Sequence, residues 1–181
     1  MKHLQLLTVA LLLIVMASCN STGKETTPSD DEWLTIETKD YSIHHPKEWK
    51  QETNPQMGVE FILMTARTSD KDEFKENVNL VIQDLSNTNL DLEKYTAISE
   101  EQIMEGMQNA KIIKSERSTR HGETAQRLVY SGIYENRALK FEQYYWIKNN
   151  KVFVLTLTCE TDQFDAYKEV GEEILKSFRL K

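Results

Sequence analysis

Cysteine is nearly absent from the 181-residue chain, which has only Cys19 and Cys159, and proline and glycine are sparse at three and six. Two cysteines build no disulfide scaffold, and none is needed, because a body of this size buries roughly 68–70% of the surface its unfolded chain exposes. Few glycines and prolines exclude collagen-like and low-complexity chains. Positive charge is short as well, with 22 Lys and Arg against 29 Asp and Glu and a net charge of −7. A duplex nucleic-acid binder needs clustered Lys and Arg to displace counterions, so nucleic acid is excluded as a partner. Gly-x-Ser-x-Gly elbows, Walker loops and dinucleotide glycine loops are all missing, which removes the usual hydrolase and nucleotide chemistries. No fixed-period self-similarity implies a repeat architecture. What remains is one acidic domain that calls for no cofactor.

The sharpest local signal lies at the start. Lys2 and His3 precede a 12-residue apolar run over residues 6–17. A spanning helix needs about 20 apolar residues, whereas a run of about 7–15 before small residues reads as a secretory signal peptide. Met16-Ala17-Ser18-Cys19 follows and resembles the bacterial lipobox, with Met16 in place of the usual Leu. That resemblance implies cleavage after residue 18 and lipidation of Cys19, including palmitate; the alternative is a secreted protein cut near Ala17 and Ser18. Loss of Lys2 leaves the mature chain more acidic still, so attachment to a membrane rests on acyl chains at about 0.8 kcal/mol per buried CH₂. Residues 20–32 lack any apolar side chain and read as a flexible tether reaching roughly 20 Å. The expected organisation is a signal peptide over 1–18, lipidated Cys19 and tether over 19–32, and one folded domain over 33–181.

The body opens with alternating runs at 33–37 and 41–45, the two strands of a hairpin, and Pro46 breaks the ladder because it has no N–H to donate. Further strands are expected at 61–66 and 78–85, with the acidic stretch 68–77 between them as a solvated loop. Leu92, Tyr95, Ser99, Ile103 and Met107 recur at helical spacing after an Asp91 N-cap, and a capping box at Ser99 leaves open two shorter helices. Strands at 110–117, 123–134, 139–148 and 151–160 are joined by short turns and form an antiparallel meander. A final amphipathic helix, capped by Thr161 or Asp162, carries Phe164, Tyr167, Ile174, Leu175 and Phe178 on one stripe. Strands, helix, meander and helix in this order argue for the α+β class, an antiparallel β-sheet flanked by helices in an α-β-α sandwich.

Several pieces then line up in order: Tyr41-Ser42-Ile43 with Pro46 and Trp49, Asn77-Val78-Asn79-Leu80-Val81, and Leu92 with Tyr95. Gly122 with Ala125, Tyr144-Tyr145-Trp146 with Lys148, Val152-Phe153-Val154-Leu155-Thr156, and Ile174 with Ser177-Phe178 continue the series. Together they resemble the PsbP-like and DcrB-like family of small exported domains. The resemblance implies the PsbP-like sandwich and members that are mostly not enzymes. It also implies assembly factors, bacterial lipoproteins and adaptors that act by binding other proteins. The chain departs from the photosynthetic branch in carrying a lipoprotein-type leader and no plastid transit peptide. No active-site residue carries over.

Candidate chemistry in the residues is sparse. His44 and His45 are neighbours in a strand and point to opposite faces, so they cannot grip one metal together, and no metal site is expected. Asp70, Asp72, Glu73 and Glu76 have the look of a calcium loop but lack its Gly and closing Glu. Cys159 lies in an apolar strand as a small hydrophobe. Large amphipathic rings supply the candidate binding surface, Tyr144, Trp146 and Trp49, since Tyr and Trp are enriched in binding hot spots. The expectation is a non-catalytic, membrane-anchored lipoprotein of the cell envelope that binds a protein partner. Its competitor is a small-ligand or cation binder with a pocket lined by Tyr144, Trp146 or His44.

Overall fold

The computed structural model describes residues 32–54, 58–69 and 72–181. The leader, Cys19, the tether up to residue 31 and Asp70 lie outside the described residues. Within them the order is β1 (Trp33–Glu37), β2 (Tyr41–Pro46), β3 (Lys50–Asn54), β4 (Val59–Met64), β5 (Asn77–Asp84), α1 (Leu92–Gly106), β6 (Gln108–Arg120), β7 (Glu123–Tyr134), β8 (Arg137–Lys148), β9 (Lys151–Glu160), α2 (Phe164–Ser177) and β10 (Arg179–Leu180). Seven strands form one antiparallel sheet in the order β3-β4-β5-β9-β8-β7-β6, and β1-β2-β10 form a separate three-stranded sheet.

Local chemistry explains the meander. Three two-residue turns, His121-Gly122, Glu135-Asn136 and Asn149-Asn150, hold both of their residues at positive φ. This is the handedness whose twist matches two antiparallel strands. β9 lies in the interior of the sheet and is buried along nearly its whole length. Its alternate residues feed two cores. Phe153, Leu155, Leu157 and Cys159 join one core with α2 and the three-stranded sheet, while Val152 and Val154 join the other with α1. α2 approaches β9 at Gly171, where a Cβ would fall 2.6 Å from Leu157 Cδ2.

The α2-side core is dominated by rings. Tyr41 stacks on Phe178 at 5.7 Å, Trp146 lies 5.0 Å from Phe178 and 5.6 Å from Tyr144, and Trp49 meets Tyr167 edge-on. On the opposite face Tyr95 and Ile103 of α1 pack over Tyr130, Phe141 and Tyr145. The two helices therefore lie on opposite faces, but strands supply most of the molecule. The fold is sheet-dominated, with the three-stranded sheet and Phe74 sharing the cover that complete helical layers were expected to provide.

Some local expectations hold and others change. α1 is one helix without a break at Ser99, whose hydroxyl donates to the Tyr95 carbonyl at 2.8 Å from inside the helix. Its N-cap is Asp91, accepting from the Lys94 N–H at 2.8 Å. α2 starts after Gln163, which makes no side-chain cap, instead of after Thr161 or Asp162. The stretch expected as a solvated loop, 68–77, is solvated only in part, because Phe74, Glu76 and Asn77 are buried and Asn77 opens β5. Asp72 ties the segment together by accepting from the Thr68 N–H at 2.8 Å and the Phe74 N–H at 3.1 Å.

Candidate functional site

The rings read as a binding surface are in the core. Trp49 and Tyr144 are 2% exposed and Trp146 is 3% exposed. Alternation along β8 does put Tyr145 on the α1 side and its two neighbours on the α2 side, but both sides are covered. Only the Tyr144 hydroxyl keeps polar company, donating to Glu142 Oε1 at 3.2 Å and accepting from Arg120 Nη2. These rings are core and not surface, and they contribute packing.

Around that hydroxyl lies an ionic network. Glu142 is 2% exposed and accepts Arg127 Nε at 2.8 Å, while Arg127 Nη1 donates to Glu116 Oε1 at 3.1 Å. Hydrogen bonding to Glu142 raises the Arg127 pKa and keeps the guanidinium charged. Every charge in the network has a counter-charge, so it holds three strands of the sheet together and offers no open reactive group.

Glu76 is a different case, and the sequence pattern concealed it. The residue is 2% exposed, and its Oε1 has no hydrogen-bond partner among the described residues. Desolvation pushes its pKa up to about 7, with Asp72 and Glu160 adding like charge. A shift of this kind marks functional candidates, but structural positions show it too. The signal was unreadable in Glu73-Phe74-Lys75-Glu76, because the burial of Glu76 is set by tertiary neighbours such as Glu160, distant in sequence.

The histidines stay apart. His44 is exposed and paired with Thr35 Oγ1 at 2.8 Å, whereas His45 is buried with Nδ1 2.9 Å from the Pro46 carbonyl. Desolvation lowers the His45 pKa. His121 lies against the Lys176 carbonyl at 2.8 Å. Among the described residues no group of three or more His, Cys, Asp or Glu is arranged to hold a metal.

A polar rung crosses the α1 face where Asn79, Thr156 and Gln143 align on β5, β9 and β8. Gln143 Nε2 donates to Thr156 Oγ1 at 2.7 Å, and the Tyr145 hydroxyl donates to Gln143 Oε1. With Tyr95 this rung lines a cleft of about 20 Å³. That is room for a water molecule, which needs about 10–15 Å³, and too little for a substrate.

Among the described residues the outer side of β6 pairs with no other strand. β6 is the end strand of the seven-stranded sheet, 13 residues long, and its inner edge pairs with β7. Register shifts interrupt its first half at 108–111 and 112–114, but residues 114–120 pair regularly with β7 from Val129 to Glu123. Ile113 is 49% exposed, and Lys111, Lys114 and Arg117 are exposed on the same strand. Lys114 leans onto Glu116 at 2.8 Å. Among the described residues Lys111 and Arg117 have no side-chain partner.

By structure the chain is similar to the cyanobacterial PsbP of Synechocystis sp. PCC 6803, with a TM-score of 0.61 and 16% identity over 92% of this chain and 99% of that one. It is also similar to LpqN of Mycobacterium tuberculosis, with a TM-score of 0.60 and 12% identity over 82% and 90% of the two chains. A third similarity is to PA94 of Pseudomonas aeruginosa, with a TM-score of 0.57 and 17% identity over 81% and 95%. No curated protein matches by sequence. The PsbP family model matches residues 35–180, from β1 through β10, and the chain accordingly belongs to the PsbP family.

Proposed function

We propose that this protein is a non-catalytic, lipid-anchored lipoprotein of the cell envelope that works as a protein-binding or assembly module. The observation that carries the reading is the outer edge of the end strand β6, regular over residues 114–120, on a body whose large rings are consumed by two cores. A surface of this kind recognises another chain through main-chain pairing. Membership of the PsbP family adds support, as does likeness to LpqN, a protein described as involved in cell envelope biogenesis. The leader motif Met16-Ala17-Ser18-Cys19 supports the anchor. The small-ligand reading loses its walls, since Tyr144 and Trp146 fill the core and His44 is exposed and paired with Thr35.

Affinity capture of the mature protein from solubilised native membranes, with Cys19→Ala as control, tests this reading. Mass spectrometry should find a lipidated N-terminal Cys19, reproducible envelope partners, and release of the Cys19→Ala protein from the membrane. An unmodified Cys19, or an unchanged membrane fraction for Cys19→Ala, would remove the anchor. Recovery of no partner would remove the binding function.

A further inference from the structure

We propose that β6 is the docking edge for an extended acidic segment of a partner protein, which adds along residues 114–120 as a further strand of the sheet. The inference rests on the protein-binding reading and names its surface and the chemistry of its partner. An end strand presents a row of N–H and C=O groups that pair with another chain unless the edge is blunted. β6 is blunted over only half its length. Register shifts at 108–111 and 112–114 break up its first half, and residues 114–120 stay regular over roughly 23 Å, at about 3.3 Å per residue.

Charge selects the occupant. The molecule carries −7, yet β6 bears Lys111, Lys114, Arg117 and Arg120 against Glu116 alone. Arg120 is committed to Tyr144, and Glu116 to Lys114 and Arg127. Lys111 and Arg117 remain without carboxylates among the described residues. The β7 register puts Arg117 on the α1 side within 114–120 and Lys111 on the opposite side just before that stretch, so acidic side chains on either face of an incoming strand find a cation, and opposite charges across a strand pair attract while like charges repel. A second copy of this chain, pairing β6 to β6, sets basic strand against basic strand and is disfavoured by the same rule. The opposite end of the sheet, β3, has five residues and an irregular register, which makes it a poorer template.

The test pans a displayed random-peptide library against the full mature protein and maps the selected peptides. Enrichment of Asp and Glu is expected, together with hydrogen-exchange protection of amides 114–120. Lys111→Glu with Arg117→Glu should weaken these peptides about tenfold, with an unchanged circular dichroism spectrum. N-methylation along one edge of a selected peptide should abolish binding, and along the other edge leave it intact. Peptides without acidic enrichment, protection of another surface, the absence of any binder, or charge-dependent binding to anionic vesicles in place of peptides would each overturn the proposal. A native partner captured equally by the wild type and by the doubly reversed variant would overturn the β6 assignment and leave the protein-binding reading standing. Capture of no native partner would overturn that reading itself.

Discussion

Two buried titratable side chains, Glu76 and His45, pull stability in opposite directions as pH changes. Glu76 has its folded pKa raised to about 7 from 4.5, so the folded state holds its proton more tightly. Its contribution is fully present below 4.5 and is lost as pH rises through 7, by up to about 3 kcal/mol. His45 is lowered below 6.5 by desolvation, so its contribution is present above 6.5 and is lost as pH falls. Urea midpoints measured at pH 5 and pH 8 should separate them. Glu76→Gln should gain on wild type at pH 8, and His45→Asn should gain on wild type at pH 5. An unchanged pH dependence in Glu76→Gln would show that the carboxyl is not held in its neutral form. The buried pair behaves differently. Arg127→Leu strands the Glu142 carboxylate and should cost about 3–5 kcal/mol, whereas Arg127→Leu with Glu142→Leu should cost much less. Chemical denaturation of the two variants checks this, and equal losses would contradict it.

At the scale of elements, the meander turns are the sharpest test. Glu135 is held at φ 47° in the two-residue β7–β8 turn, a conformation that favours Asn or Gly. Glu135→Asn should raise stability by about 0.5 kcal/mol, seen as a higher melting temperature, while a lower one would contradict the turn assignment. The same turns explain what could be read from the sequence. Period-2 runs bounded by Asn-Asn and His-Gly disclosed β6 to β9, and the Asp91 cap with its helical spacing disclosed α1. β3 escaped because Lys50-Gln51-Glu52-Thr53-Asn54 has no apolar residue to alternate. β10 escaped because two residues carry no period, and its pairing with β2 is set by a chain return from the far end of the domain. Trp49, Tyr144 and Trp146 were plausible surface residues because period alone cannot say what lies over a sheet face. α2 and the three-stranded sheet, distant in sequence, decide that they are core. The β6 edge was legible only as a strand, since being outermost is a property of the strand order.

For the whole molecule, the account joins an acidic body, a basic outer strand and a proposed lipid tether of short reach. The acidic chain, at −7, is repelled by anionic lipid headgroups, and in the proposed arrangement the acyl group positions the protein while the β6 edge chooses its partner. Reversing Lys111 and Arg117 should therefore abolish partner recovery without changing membrane retention, whereas Cys19→Ala should do the opposite in solubilised extracts. Site-specific photo-crosslinking in the native host, with the photoreactive residue at Ile113 on β6 and a control at exposed Glu169 on α2, tests the central claim most directly. The account predicts one dominant adduct from position 113, joined to an acidic extended segment of an envelope protein, and none from position 169. Silence at position 113, or the same adducts from both positions, would contradict it.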